Sequence, residues 1–410
     1  MKTIFTHVDK NGNLILPSEL ARELGFEPGS RVKLSINSNN IILHRPVSKI
    51  ARVYIEPTTR CNLKCKTCMR NVWDEPIGDM NEDTFNRILQ SLSSMPDLPV
   101  VFFGGFGEPF ANQKIFDMIK SVKRLGAPVE IITNGILLDS KCSEELIEIG
   151  LDMLWVSIDG ASPECYGELR PQGSFVNVVE NLKALKKMKI KKGAKLPRLG
   201  ISFVVTKQNV KEFPDLIKLG YQLGAQKYLV TNVYPHTPEL LDEILYMRSI
   251  GEPLESQAII TLPRIDLKEE TISILETSIR GHYGAQLEGL ELLFSPETCP
   301  FIVKGSIAIR WDGKVSPCLP LLHTHVSYLG ERLRVNNSYF VGSILEHSLL
   351  ELWSKEEYSQ LRMRLEEFDF SPCTTCNSCE MANSNEQDCF GNIIPACGGC
   401  LWAQGFIQCP

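Results

Sequence analysis

Between residues 51 and about 233 the chain alternates strand-like runs with amphipathic stripes, and this alternation restricts the fold more than any other feature. Strand candidates are Val53–Glu56, Val100–Phe103, Val129–Thr133, Met153–Ile158, Gly200–Val205 and Lys227–Thr231. Helical stripes at i, i+3, i+4 and i+7 separate them. One holds Phe85, Ile88, Leu89, Leu92 and Met95, the next Ile115, Met118, Ile119, Val122 and Leu125, and a later one Phe175, Val178, Val179, Leu182 and Leu185. Six such units predict an α/β fold, a parallel sheet closed into a partial (β/α)6 barrel. Reactive groups then belong at the C-terminal strand ends, where the loops face one cavity.

The first strand end carries them. Arg52-Val-Tyr-Ile-Glu56 leads through Pro57-Thr58-Thr59-Arg60 into Cys61-Asn-Leu-Lys-Cys65-Lys-Thr-Cys68, a Cys-x3-Cys-x2-Cys set. With 14 Cys in 410 residues, chance supplies roughly 0.02 such sets. Three thiolates on one tight loop can hold three irons of a cubane [4Fe–4S] cluster and leave the fourth open to a small molecule. A structural zinc would need a fourth ligand, and no His follows within the next dozen residues.

This spacing resembles the signature of the radical S-adenosylmethionine superfamily. The resemblance implies that the amino and carboxylate groups of S-adenosylmethionine chelate the open iron. It further implies a ferredoxin-like electron donor and a 5′-deoxyadenosyl radical that takes hydrogen from the substrate. Thr67 stands where the superfamily usually has an aromatic and reads as a packing variation. Other strand ends agree. Phe103-Gly-Gly-Phe-Gly-Glu-Pro109 resembles the family's Gly-Gly-Glu motif with an extra residue before the acid. Gly104 and Gly105 allow close backbone approach, and Glu108 is expected on the methionyl amino group. Thr133-Asn134-Gly135 resembles the family's Thr-Asn-Gly. Ser157 and Asp159 offer a hydroxyl and a carboxylate to ribose hydroxyls. Arg170, in a Tyr166-x3-Arg170 pattern, offers its fork to the methionyl carboxylate; the alternative is a surface ion pair worth under about 1 kcal/mol.

The remaining chain reads as further domains, since 410 residues exceed one ordinary core. A net charge of −6 gives no sign of a general nucleic-acid or acidic-membrane binder. Met1–His7 lacks the apolar core of a signal peptide, and no run of about 18 apolar residues appears, so a cytoplasmic location with no membrane partner is expected. There, clustered thiols mean metal or redox chemistry rather than disulfides. Residues 1–46 form a short helix, Ser18–Leu24, and two strands, Arg31–Ile36 and Ile41–His44. This module resembles the AbrB/SpoVT swapped-hairpin domain, which implies dimerisation and often DNA binding. Six Lys/Arg against four Asp/Glu is a weak phosphate footprint, so a homodimer or docking role is favoured over DNA. Seven lysines in Lys183–Lys195 read as a solvated helix face, with docking of an acidic protein as the alternative. Cys142 and Cys165 stand apart and read as packed thiols.

Residues 234–298 break the alternation and are expected as a linker or lid, with helical stretches Glu239–Met247 and Lys268–Ile279 around a strand-like Ala258–Leu262. Nine of the 14 Cys follow: Cys299, Cys318, Cys373, Cys376, Cys379, Cys389, Cys397, Cys400 and Cys409. They can supply one or two auxiliary [4Fe–4S] clusters, or a pair of structural zincs. Cys299-x13-Gly313-x4-Cys318 resembles the SPASM extension of radical S-adenosylmethionine enzymes, which implies auxiliary clusters in residues 299–410. The later spacing departs from the SPASM pattern and leaves each thiolate unassigned. Cys397-Gly-Gly-Cys-Leu-Trp-Ala-Gln-Gly-Phe-Ile-Gln-Cys409-Pro is similar to a narrower group, the maturases of tungsten-containing aldehyde ferredoxin oxidoreductases. That similarity implies radical modification of the oxidoreductase or its tungstopterin. Alternatives are modification of another peptide (thioether, carbon–carbon bond or formylglycine) and a DNA-binding iron–sulfur regulator. His323 and His325 are further candidates to line the site.

Overall fold

The computed structural model describes residues 5–26, 32–36, 41–43, 47, 49–247, 286–288, 299–374, 376 and 379–410. Lys268–Ile279 and Ala258–Leu262, the helix and strand expected in the linker, lie outside these residues. In the N-terminal module, helix Ser18–Leu24 precedes an antiparallel hairpin of β1 (Leu34–Ile36) and β2 (Ile41–Leu43).

Six parallel strands follow in the expected order: β3 (Arg52–Ile55), β4 (Val100–Phe103), β5 (Val129–Thr133), β6 (Met153–Ser157), β7 (Arg198–Val205) and β8 (Ala225–Asn232). Helix Glu82–Ser93 shows why the intervening stripes fold as they do. Asn81 caps it by accepting from Thr84 N, two acids sit in its first turn, and Phe85, Ile88 and Leu92 are buried against the sheet. Helix Ile115–Leu125 buries Met118, Ile119 and Val122 in the same way. The lysine-rich end of helix Phe175–Lys192 is solvated, and Lys192 pairs with Glu144 and Glu148.

The sheet extends beyond the six strands at both edges. On the β8 side, β9 (Gln286–Glu288) pairs in parallel with β8. On the other side, β10 (Ser306–Ile309) pairs in parallel with β3, and β11 (Lys314–Ser316) turns back antiparallel. The Cys-rich part therefore shares a sheet with the barrel. A separate hairpin pairs β12 (His325–Leu329) with β13 (Arg332–Asn336), and β14 (Gly342–Ser343) pairs with β11. Helices Leu349–Ser354, opened by a Ser348/Glu351 capping box, and Glu356–Glu367 follow. The final segment then docks on the barrel. Gln408 N donates to Thr231 Oγ1 (2.8 Å), Asn232 donates to Phe406 O (2.9 Å), and Phe406 stacks on Tyr246.

Candidate active site

The cysteine loop leaves the C-terminal end of β3, where the strand-end rule puts reactive groups. Backbone bonds fix its curl. Cys68 N donates to Cys65 O (3.2 Å) and Lys66 N to Leu169 O (2.9 Å). The Arg70 fork binds Thr59 O (2.8 Å) and Leu63 O (2.9 Å). All three thiols are half-buried on this loop. Asn134, at the end of β5, reaches across with Nδ2 2.8 Å from Asn62 Oδ1 and 3.8 Å from Cys61 Sγ. Burial pushes Cys68 up to about 11 and also raises Cys65, against the pull of the Arg170 cation. Three thiols on one loop, with an amide aimed at one sulfur, suit a cluster one protein ligand short.

The glycine-rich loop after β4 is wedged against the same strand. Glu108 N donates to Arg60 O (2.7 Å), and a Cβ on Gly107 would lie 2.2 Å from Thr58 O. A Cβ on Gly104 would meet the Phe102 and Ile132 side chains, and one on Gly105 (φ +157°) would meet Glu56 Cγ at 2.7 Å. Glu108 is buried, and its carboxylate accepts from Thr133 Oγ1 (2.8 Å), Asn134 N (2.8 Å) and Phe110 N (3.2 Å). Burial outweighs these bonds and lifts its pKa to about 7. Three of its four acceptor positions are thus engaged, leaving one for a donor such as an amine.

Ser157 ends β6 half-buried. Beyond it, the structure sets Asp159 and Arg170 on each other rather than on open space. Arg170 Nη2 and Nε lie 2.7 and 2.8 Å from Asp159 Oδ2, and both residues are buried. Asp159 Oδ1 accepts from Val204 N (2.9 Å). Each side chain offsets its partner's charge at this buried position. Tyr166 lies beside it, its ring 5.9 Å from the Arg170 guanidinium.

In the Cys-rich part, Cys299, Cys318, Cys397 and Cys400 line one largely apolar cavity, together with His325 and Arg334. Burial drives all four thiols up, Cys299 to about 12. Arg334 is buried against them, its fork donating to Ala382 O and Ala396 O. Four soft donors around an apolar pocket, beside a fixed cation, fit an iron–sulfur cluster. Cys376, Cys379 and Cys389 are exposed, while Cys373 is half-buried with Sγ 3.1 Å from Ser371 Oγ. Cys409 stays out of that lining and receives a bond from Trp402 Nε1 (3.3 Å). Cys142 packs in helix Ser140–Ile149 and Cys165 in helix Pro163–Leu169. Among the described residues, no three His, Cys, Asp or Glu side chains are arranged to hold a single metal ion.

Beside the site, the sequence candidate His323 gathers two acids that the sequence reading did not single out. His323 lies between Glu56, at the end of β3, and Glu75, beyond the cysteine loop. An acid in register with Arg52 and Tyr54, on the strand that feeds the cysteine loop, was the available signal. His325 turns out to line the auxiliary cavity, bonded to Tyr234 Oη (3.1 Å).

Comparison with known proteins agrees with this geometry. Residues 55–220 match the Radical SAM superfamily, residues 299–380 the SPASM iron-sulfur cluster-binding domain, and residues 7–52 the MazE bacterial antitoxin family, antidote-toxin recognition. A Pyrococcus furiosus tungsten-containing aldehyde ferredoxin oxidoreductase cofactor-modifying protein is 32% identical over 371 residues, covering 87% of this chain and 96% of that protein. The chain belongs to the radical SAM superfamily, in the family of that protein. An AdoMet-dependent heme synthase of Oleidesulfovibrio alaskensis is 24% identical over 86% of this chain and 82% of its own length. Streptococcus suis SuiB bound to S-adenosylmethionine shares the fold (TM-score 0.55, 18% identity, 83% of this chain and 72% of that one). So does anSMEcpe with bound AdoMet and a Cp18Cys peptide (TM-score 0.55, 16% identity, 87% and 96%). This radical SAM enzyme therefore uses a [4Fe–4S] cluster and S-adenosylmethionine, with auxiliary iron–sulfur clusters in its SPASM domain. No helix among the described residues is long and apolar enough to cross a membrane.

Proposed function

We propose that this enzyme modifies a tungsten-containing aldehyde ferredoxin oxidoreductase or its tungstopterin cofactor, working in the cytoplasm with a ferredoxin-like donor. The observation that carries this reading is the 32% identity running through nearly the whole Pyrococcus furiosus protein. Cys61, Cys65 and Cys68 hold the reactive cluster, and Glu108 and Asn134 border the place for the methionyl end of S-adenosylmethionine. Gly104, Gly105, Ser157, Asp159 and Arg170 complete that side of the site. The Asp159–Arg170 pair fixes the segment behind Cys65, and Cys299, Cys318, Cys397 and Cys400 hold an inner auxiliary cluster. Cys373, Cys376, Cys379 and Cys389 hold an outer one, with Cys409 as the spare. When bound, the reactive cluster and S-adenosylmethionine supply hydrogen abstraction; the chain's own part is binding, orientation and exclusion of water.

The test mixes anaerobically reconstituted enzyme with an aldehyde oxidoreductase precursor, and mass spectrometry follows both polypeptide and pterin. A mass change in either supports the reading, and unchanged masses count against it. Fold likeness to SuiB with its precursor peptide SuiA favours a second reading, modification of a different peptide. Residues 1–46 are proposed as a dimerisation or docking module. Phe5 (91% exposed), Val8, Leu14, Leu34 and Ile41 all face outward in the single chain, which supports a covering partner.

A further inference from the structure

The cluster around His323 ties the SPASM domain to the glycine-rich loop of the barrel. His323 Nε2 lies 2.9 and 3.1 Å from the two carboxylate oxygens of Glu56, and its Nδ1 lies 2.7 Å from Glu75 Oε2. Both ring nitrogens face carboxylates, so both must carry protons to donate. His323 and Glu56 are 1% and 0% exposed. Glu75 also accepts from Thr324 N (3.0 Å) and Arg310 Nη1 (3.0 Å), while the rest of the Arg310 fork is held by Asp312. The His323 ring lies against Trp73, centroids 4.0 Å apart, with Phe106 edge-on at 5.7 Å.

Glu56 is where this cluster meets the loop. Phe106 N donates to Glu56 Oε1 (3.2 Å), and Gly105 sits so close that a Cβ would lie 2.8 Å from the same oxygen. Gly104 N bonds Ile55 O (2.9 Å), one residue earlier. The loop's backbone path is therefore moulded on the Glu56 side chain, whose direction the imidazole sets.

We propose that His323 is a positioning residue: reaching out of the SPASM domain, it locks Glu56 and thereby shapes the Gly104–Glu108 loop for S-adenosylmethionine. This rests on the reading of that loop as part of the S-adenosylmethionine site. The two carboxylates outweigh the cost of burial and raise the His323 pKa to about 9. The charged groups around it are Glu56 and Glu75 from the barrel side, with Arg310 and Asp312 from its own side; the buried His325 is titratable but kept neutral, its pKa lowered to about 4. Below pH 9 the imidazolium serves both acids. Above it one nitrogen becomes an acceptor facing a carboxylate oxygen, and the lock opens.

The experiment measures S-adenosylmethionine affinity of the anaerobically reconstituted full chain by calorimetry, with iron content and circular dichroism alongside. Variants are His323→Gln, His323→Ala and, as a loop control, Gly105→Ala. His323→Gln should retain iron and fold but bind about tenfold more weakly, the scale of losing one charge-assisted bond. Wild-type affinity should fall through a step near pH 9 that is absent in His323→Gln; titration of the ligand's own amine is common to both and cancels. If His323→Ala does not fold, His323→Gln and the wild-type pH profile still decide. Wild-type affinity and an unchanged pH step in His323→Gln, with Gly105→Ala impaired, would overturn the positioning role and leave the loop reading standing. Unimpaired binding in Gly105→Ala as well would overturn both.

Discussion

The three-thiol loop on the barrel and the four-thiol cavity of the Cys-rich part, each proposed to hold an iron–sulfur cluster, have opposite architecture. Cys61, Cys65 and Cys68 come from eight consecutive residues, on a loop held by backbone bonds and the Arg70 fork. Cys299, Cys318, Cys397 and Cys400 come from segments up to a hundred residues apart, and only the finished fold brings them to one cavity. The first site is polar, with Asn134, Glu108 and the Asp159–Arg170 pair around it; the second is largely apolar, with the buried Arg334 and His325 among its polar residues. A local site can lose its metal and keep its fold, whereas a dispersed site is part of the fold. On the proposed reading the open cluster, which a small molecule must reach, sits on a loop, and the closed one doubles as a staple.

The largest effect should separate the two at once. A triple Cys61/Cys65/Cys68→Ala variant should lose about four irons per chain and form no 5′-deoxyadenosine, with its melting midpoint little changed. Cys318→Ser should also lose about four irons, and in addition lower the midpoint by more than about 5 °C, because metal binding there is folding energy. Cys376→Ser, in the exposed outer set, should lose iron without that fall. Anaerobic iron and sulfide analysis, product chromatography and calorimetry read all three. Equal melting in Cys318→Ser and Cys376→Ser would erase the distinction between staple and ornament.

Next in size, the polar site should depend on its buried ion pair. Asp159→Asn leaves the Arg170 cation buried and unneutralised, and should cost about 3–5 kcal/mol of stability by denaturant titration. A loss under about 1 kcal/mol would mean that this buried pair contributes no more than a surface pair does.

This contrast also explains what was legible in the chain. The six strands, the apolar stripe of helix Glu82–Ser93 and the cysteine loop follow from local periodicity and spacing, and each appears close to its expected place. That Cys299, Cys318, Cys397 and Cys400 share one cavity was not legible, since Cys318 and Cys397 are neighbours only through folding. Nor was the pairing of β10 with β3, which joins residues 254 apart in sequence. Asp159 and Arg170 each looked suited to a ligand, because residue type shows what a side chain can bind but not what already binds it. Glu56 was hidden for the same reason: its partner His323 comes from the other end of the chain.

A smaller effect tests the polarity of the barrel site by pH. The Glu108 carboxyl titrates near 7, well above the usual range, so the folded protein holds a proton that an unfolded chain releases near pH 4. Its contribution to stability is present below the ordinary carboxylate range and lost as pH rises through 7. Ionised Glu108 is the better acceptor for an amine, so S-adenosylmethionine affinity should rise across the same interval. Glu108→Gln should flatten both profiles; a rise that persists in this variant would remove Glu108 from the site.

The smallest effect concerns the one fixed cation that lines the largely apolar cavity among the described residues. Arg334 is buried among Cys373, Cys397 and Cys400, held by two backbone carbonyls, with Gly399 packed on its guanidinium. Reduction adds an electron to a cluster whose thiolates are already negative, and a nearby cation favours the added charge. Arg334→Gln keeps a donor for one carbonyl and removes the charge, so the reduction potential of the inner cluster should move negative by about 50 mV. The potential of the three-thiol cluster should stay put. Anaerobic redox titration followed by electron paramagnetic resonance resolves the two. A shift of both potentials together would mean that the sites share one electrostatic environment, and a shift of neither would take Arg334 out of the inner cluster's surroundings.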